Sequence, residues 1–323
     1  MSLTIWCDQK FNDEADRRLR AGTAAHRLVI PPGAKETGML PSAISPELNA
    51  ADIAFGQPPP AAALQLQGLR WIQVTSAGYT LYDTPEFLEG LRARGGRLTN
   101  SSSVFADPCA QHVLAMILAL GRQLPESLRD QLTDQSWHYR ERRYTATMLT
   151  GQTVLLLGYG AIARRLVELL QPFGCKIYAL RRQVRSERGV HIIGTEDLTR
   201  VLPLADHVVN LMPENEATRG WVNARRLACL RPAARFYNVG RGTTVDQSAL
   251  VEALHAKKLA GAYLDVTDPE PLPPSDPLWT APNCYITPHL AGGRRDQDLA
   301  VVEHFLRNLT AFEAGGPLVD QVV

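Results

Sequence analysis

Along the chain, short continuous apolar runs alternate with stretches in which apolar residues recur three or four positions apart. The first pattern marks buried strands and the second marks helices with one apolar face. Runs at residues 3–7, 27–30, 52–55 and 70–75 read as four strands, with a polar helix over 12–21 after the first. Pro31-Pro32 closes the second strand, and Gly56-Gln57 with three prolines closes the third. Strands and helices alternating at this spacing predict a parallel sheet with helices on both faces, so residues 1–98 read as one small doubly wound domain. A long apolar helix follows over 105–121, with Ser101, Ser102 and Ser103 as candidate caps. Residues 122–150 break the pattern. They are polar, rich in arginine, carry Trp137-His138-Tyr139 in their middle, and read as a long functional or interfacial loop.

The pattern is sharpest at Thr153-Val-Leu-Leu-Leu-Gly158-Tyr-Gly160-Ala-Ile-Ala163. An apolar run enters a glycine-rich turn, after which Ile162, Leu166, Leu169, Leu170 and Phe173 take up the helical period. Gly158 permits the turn, Gly160 lets backbone approach a ligand, and Ala163 allows close helix–strand packing. Free N–H groups and the positive end of the helix dipole then face one spot, which suits a pyrophosphate. A strand before and a helix after give this run the context a dinucleotide fingerprint requires, and an ordinary strand-to-helix turn is the weaker reading. Tyr159, Ala161 and Ile162 are candidate cofactor contacts with the two glycines. Further strands are expected at 175–180, 207–211, 235–238, 262–265 and 285–287, with helices at 195–202, 223–230 and 247–256, the last capped by Asp246. Several polar residues stand just past these strands, at the edge where open α/β sheets bind ligands.

Composition sets bounds on this picture. The chain has 323 residues, enough for two domains, and its 45 % apolar and 21 % charged content is that of a soluble globular protein. A net charge of +1 argues against nucleic acid or an anionic membrane as partner. Cys7, Cys109, Cys175, Cys229 and Cys284 are scattered, with no metal-ligand spacing, so reduced thiols in a cytoplasmic protein and no metal site are expected. The start of the chain, Met1 to Asp8, lacks a basic segment followed by an apolar one and does not read as a signal peptide. The apolar stretch 113–120 is far short of the roughly 18–20 residues that cross a bilayer.

The later strand ends carry Gly240-Arg241-Gly242, then Leu264-Asp265-Val266 with Glu270-Pro271-Leu272, then Thr287-Pro288-His289. In this order, with the fingerprint at 157–163 and Ser76-Ala77-Gly78, the chain resembles the D-isomer-specific 2-hydroxyacid dehydrogenases over nearly its whole length. The resemblance implies two doubly wound parallel-sheet domains. A Rossmann dinucleotide-binding domain (99–294) would be inserted into a flavodoxin-like substrate domain (1–98 and 295–323), with a hinge whose closure expels water. It further implies a homodimer that pairs around residues 113–120 and Trp137.

The resemblance also assigns roles that the residue chemistry can carry. Arg241 would clamp the substrate carboxylate, since a guanidinium offers a planar fork. His289 would donate the proton that ketone reduction needs besides a hydride. Glu270 would hold one tautomer of that histidine and favour its charged form. Ser76, Ala77 and Gly78 would offer N–H groups to the substrate carboxylate. Asp265, Met212, Pro213 and Val239 would line the cofactor. The plainer alternatives are a surface arginine in a turn, a loop glutamate, a capping aspartate and a simple glycine turn. His112, inside the apolar helix, reads as a core or interface histidine. Two features depart from the family pattern. Ala110-Gln111-His112 stands where relatives often carry Ala-Glu-His, and Gly56-Gln57-Pro58 lacks the basic residue some relatives place after the third strand.

An NAD-specific fingerprint carries an acid about 20 residues past its glycines, at the ribose 2′-hydroxyl. Here the corresponding strand ends in Arg181-Arg182, with Arg181 at 181 − 158 = 23 positions beyond Gly158 and no Asp or Glu between Gly174 and Ser186. NADP is therefore the preferred cofactor, with NAD the other choice, although a solvated basic loop would look the same. The function expected is reduction of a small 2-oxo acid, glyoxylate or hydroxypyruvate. A nucleotide-sensing binding protein like the C-terminal-binding corepressors, on the same scaffold, is the alternative. An unrelated Rossmann enzyme, for example a methyltransferase, is disfavoured by the Arg, Glu, His order.

Overall fold

The structure is a computed structural model that describes residues 2–35 and 45–323. It divides into two compact units, one of residues 1–105 with 294–323 and one of residues 106–293.

The first unit holds a five-stranded parallel sheet. Its strands are β1 (Thr4–Cys7), β2 (Arg27–Val29), β3 (Ile53–Phe55), β4 (Trp71–Gln73) and β5 (Arg97–Thr99), in the order β2-β1-β3-β4-β5. Alternation along the strands feeds two cores, because successive side chains point to opposite faces. Ile5, Cys7, Ile53, Phe55 and Trp71 pack on one side with Ala15, Leu19 and Phe305. Trp6, Ala54, Ile72 and Leu98 pack on the other with Ala63, Phe87 and Leu91. Asn12 caps the helix Asp13–Gly22 by accepting from the Ala15 N–H at 3.1 Å. The C-terminal helix Gln297–Glu313 completes this unit. Its Phe305 stacks on Phe55 with ring centroids 4.1 Å apart, and Asn308 Nδ2 donates to Gln73 Oε1 at 2.9 Å.

The second unit holds seven parallel strands: β6 (Thr153–Leu157), β7 (Lys176–Leu180), β8 (His191–Ile193), β9 (His207–Asn210), β10 (Arg235–Asn238), β11 (Gly261–Leu264) and β12 (Cys284–Ile286). Their order is β12-β11-β10-β9-β6-β7-β8. β6, with every side chain buried, pairs with β7 on one side and β9 on the other, which makes it the point where the winding reverses. The two strand orders are those of the flavodoxin-like and Rossmann folds expected from the sequence.

Several local expectations are corrected. Residues 122–150 are not a loop: they form the helices Leu124–Thr133 and Tyr139–Thr145. Leu124, Leu128 and Leu132 do recur at helical spacing, but all three are exposed, so the periodicity is hidden among polar neighbours. Arg142 grips Asp130 through two hydrogen bonds of 2.8 and 2.9 Å, linking the two helices. The long helix begins at Ser102, so Ser102 and Ser103 lie within it rather than capping it. Their N–H groups are satisfied from elsewhere, by Asn100 Oδ1 at 3.0 Å and Asp320 Oδ2 at 2.7 Å. That helix, Ser102–Gly121, has 20 residues, so by length and composition it could cross a membrane, contrary to the short stretch read from sequence. One side of it packs within the chain: Val113, Ile117 and Leu120 are buried, and Asp107 pairs with Arg165 at 2.5 Å. The expected helix 195–202 is a short helix Leu198–Val201 between two 3-10 turns, and only Ala224–Leu227 of 223–230 is α-helical. All five cysteines are free thiols.

Candidate active site

Because the seven strands of the second unit run parallel, their C-terminal ends share one edge. The turn after β6 is shaped by Gly158, whose φ of +111° is strained for any side chain. A Cβ there would also stand 3.2 Å from the Leu211 carbonyl oxygen, beyond β9. Gly160 differs: a Cβ on it would meet nothing within 4 Å, so its surroundings are open. It precedes the helix Ala161–Leu170, which has no capping side chain and no acid in its first turn. Uncapped N–H groups and the helix dipole therefore face open space, and this cradle fits a dinucleotide pyrophosphate. Tyr159, Ala161 and Ile162 are half-buried beside it, while Ala163 is fully buried against the sheet. After β9, Met212 is buried and Pro213 exposed; Val239, after β10, is buried.

Gly242 lies against the loop after β11, where a Cβ would be 2.0 Å from the Thr267 backbone. This close approach brings the Arg241 loop against the loop that carries Glu270. Arg241 itself is half-buried and donates to the Gly240 carbonyl at 2.7 Å. Among the described residues it has no carboxylate partner, so its fork is available to an anion. A buried amide network supports its backbone. Asn210 Nδ2 donates to Asn238 Oδ1 (2.9 Å) and Thr244 Oγ1 (2.7 Å), while Asn238 Nδ2 and Thr244 Oγ1 donate to the Arg241 carbonyl at 3.1 and 2.6 Å. Sequence reasoning did not single out these residues. Their signal was an asparagine closing each of two neighbouring strands.

His289 Nδ1 lies 2.8 Å from Glu270 Oε2, and Glu270 Oε1 accepts from the Thr267 N–H at 3.0 Å. Burial would raise the Glu270 carboxyl. The His289 hydrogen bond and charge, the Thr267 N–H and the Arg241 charge outweigh it and hold this group below its ordinary value. With Nδ1 on the carboxylate, Nε2 is the ring nitrogen left for another partner. The backbone of His289 is left-handed, φ +51°, and is held there by its N–H bonds to Asp265 O at 2.8 Å and Thr287 O at 3.0 Å. Asp265 is buried, and its carboxylate points inward: it accepts from Thr287 Oγ1 (2.6 Å), Leu290 N (2.9 Å) and Ala291 N (2.9 Å). Cys109 feels both Asp265 and Arg241. Burial, helped by Asp265, pushes its thiol up to about 12, so it stays protonated.

At the end of β7, Arg181 is half-buried with its Nη1 3.5 Å from Glu187 Oε1, and Arg182 is exposed. Glu187 lies just past the acid-free window read from the sequence, and the chain folds back to bring it to Arg181. Arg182 is thus the less encumbered of the two. In the first unit, the carbonyls of Ser76, Ala77 and Gly78 are taken by Ser101 N (2.9 Å), Asn100 Nδ2 (3.0 Å) and Ser76 Oγ (2.6 Å). Among the described residues their three N–H groups have no acceptor. Gln57 Nε2 donates to Ser76 Oγ at 3.2 Å, fixing this turn from β3.

Residues 114–291 match the family described as D-isomer specific 2-hydroxyacid dehydrogenase, NAD binding domain. A glyoxylate reductase of Thermofilum pendens is 32 % identical over 252 residues, 76 % of this chain and 73 % of that protein. A D-isomer specific 2-hydroxyacid dehydrogenase from Xanthobacter autotrophicus Py2, solved with NADPH and MES, aligns with a TM-score of 0.82 at 26 % identity, covering 100 % and 98 % of the two chains. An NADPH-dependent glyoxylate/hydroxypyruvate reductase from Sinorhizobium meliloti, solved with NADP and malonate, aligns with a TM-score of 0.74 at 26 % identity, covering 100 % and 97 %.

Proposed function

This chain belongs to the D-isomer-specific 2-hydroxyacid dehydrogenase family, NAD(P)-linked oxidoreductases, and on that premise we propose that it reduces a small 2-oxo acid, glyoxylate or hydroxypyruvate, with NADPH preferred over NADH. The observation that carries this reading is a guanidinium, Arg241, with no carboxylate partner among the described residues, on the same sheet edge as the His289–Glu270 pair. Arg241 binds the carboxylate of the oxo acid; in the first unit, Ser76, Ala77 and Gly78 carry N–H groups of the kind that also bind a carboxylate. His289 gives the proton on Nε2 to the carbonyl oxygen, and Glu270 on Nδ1 stabilises the charged imidazole before transfer. A bound reduced dinucleotide supplies the hydride. Gly158 to Ile162 hold its pyrophosphate, and Met212, Pro213, Val239 and Asp265 border it. Free thiols throughout support a cytoplasmic location.

Turnover of a panel of 2-oxo acids with each reduced nicotinamide tests the reading. Tight NADPH binding with no reduction of any oxo acid would instead favour the nucleotide-sensing alternative.

NADPH preference is expected to be tenfold or more, since charge-assisted bonds from a guanidinium to a 2′-phosphate contribute roughly 1.5–3 kcal/mol each. Arg182→Ala should lose more of it than Arg181→Ala, because Glu187 already engages Arg181. Dissociation constants for NADPH and NADH, measured by nucleotide fluorescence, check this; a parent that prefers NADH refutes it.

A homodimer is proposed through the helices Leu124–Thr133 and Tyr139–Thr145. Leu132 and Tyr144 in these helices, and Trp137 between them, are 82 %, 76 % and 90 % exposed, an unusual concentration of large apolar side chains. The Val113, Ile117 and Leu120 face of the preceding helix is already buried within the chain and is not offered to a partner. Sedimentation at micromolar concentration should give a dimer, and Leu132→Glu combined with Trp137→Ala should give a monomer. A monomeric parent ends the proposal.

A further inference from the structure

Two groups near the site, His112 and Tyr263, have no part in the chemistry above. His112 Nε2 is hydrogen-bonded to the Tyr263 hydroxyl, and that hydroxyl to Thr287 Oγ1. Thr287 Oγ1 continues to Asp265 Oδ1 at 2.6 Å. Asp265 then holds the Leu290 and Ala291 N–H groups, each at 2.9 Å, and its carbonyl holds the His289 N–H at 2.8 Å. Four side chains from three segments thus form one line ending at the segment that carries the proton donor.

The direction of every bond in the line follows from donor and acceptor capacity. An ionised carboxylate only accepts, so Thr287 must donate to Asp265. A hydroxyl has one hydrogen, so Tyr263 must be the donor to Thr287. The phenol oxygen then only accepts, and His112 must carry its hydrogen on Nε2. Burial supports this assignment by pushing the Tyr263 phenol well up and the His112 imidazole down, so both groups stay neutral in the neutral range.

We propose that His112, Tyr263 and Thr287 are positioning residues whose one-way hydrogen-bonded line fixes the Asp265 carboxylate, and through it the left-handed segment at His289. The proposal rests on the reading of His289 as proton donor. It needs no contact between these side chains and substrate. A left-handed histidine is held by its neighbours rather than by its own preference, so loosening Asp265 should blur the His289 geometry without removing any binding group.

The experiment reads the line in two ways. In the parent, nitrogen-15 NMR of the imidazole signal lost in His112→Gln should show a neutral Nε2–H tautomer; an Nδ1–H tautomer overturns the proposal. Thr287→Val removes the hydroxyl at nearly constant volume. It should lower kcat about 10-fold while KM stays within about threefold, because positioning rather than binding is lost. It should also speed exchange of the Leu290 and Ala291 amides, and Thr287→Ser should restore both readouts. Should Thr287→Val fail to fold, Tyr263→Phe, which keeps the ring, is expected to behave the same way. Parent-like kcat and exchange in the valine variant, or a serine variant as impaired as valine, overturns the proposal. A parent that reduces no oxo acid would instead count against the functional reading, and the tautomer and amide exchange would still decide the line.

Discussion

Replacing His289 with alanine is expected to lower kcat for 2-oxo acid reduction by about 10²–10⁴, the usual cost of losing a positioned general acid. The Michaelis constant should move little, since the substrate carboxylate keeps Arg241. Glu270→Gln should give a smaller loss of the same kind, because the amide can still touch Nδ1 but no longer stabilises a charged ring. The sign of the pH effect follows from the lowered Glu270 carboxyl. A group whose folded value is depressed is ionised throughout the neutral range, and its contribution to stability is present above the ordinary carboxyl value. That contribution is lost as pH falls through the folded value. The Glu270 carboxylate should therefore stay ionised to lower pH than an ordinary glutamate, and its contribution should fade only as pH falls below the ordinary carboxyl value. Steady-state kinetics of both variants across pH check this, and a His289→Ala enzyme with near-parent kcat would falsify the assignment.

Removal of Arg241 should act differently. Arg241→Ala is expected to reduce kcat/KM by roughly 10²–10⁴, the loss of two charge-assisted bonds at about 1.5–3 kcal/mol each. KM should rise strongly, in contrast to the histidine variant, because the carboxylate loses its partner before as well as during hydride transfer. Arg241→Lys should recover the charge but only part of the activity, since an ammonium cannot present the planar fork. The Asn210, Asn238 and Thr244 network holds the backbone rather than the guanidinium, so each variant should keep its loop and report on the side chain alone. Saturation curves for one oxo acid measure all of this. An unchanged KM in Arg241→Ala would mean that some other group binds the carboxylate.

The sequence by itself determined the elements whose signals are local. The apolar run before Gly158, the glycine-rich turn and the new period after it were enough to write down β6 and its helix, because strand, turn and helix preferences act over a few residues. Asp246 was recognisable as a cap for the same reason, as a cap bonds to residues three positions away. That Arg241, Asp265 and His289 stand at strand ends also followed from local pattern. Tertiary structure decided everything that depends on partners distant in the chain. His112 and Tyr263 are 151 residues apart, and nothing near either one announces their bond. The serines at 102 and 103 looked like caps, but Asp320, folded back from the far end of the chain, supplies an acceptor that local sequence does not reveal. Asp265 directs its carboxylate inward to Thr287, Leu290 and Ala291 because only the folded strand ends bring those three donors to it. Glu187 reaches Arg181 through a turn whose closure no spacing rule foresees. Residues 122–150 became helices although their apolar positions face outward, so the burial that usually betrays a helix in a sequence was missing from this chain's own core. Short-range preferences choose the elements; charge, burial and hydrogen-bond capacity, which act through space, choose what each polar side chain is for.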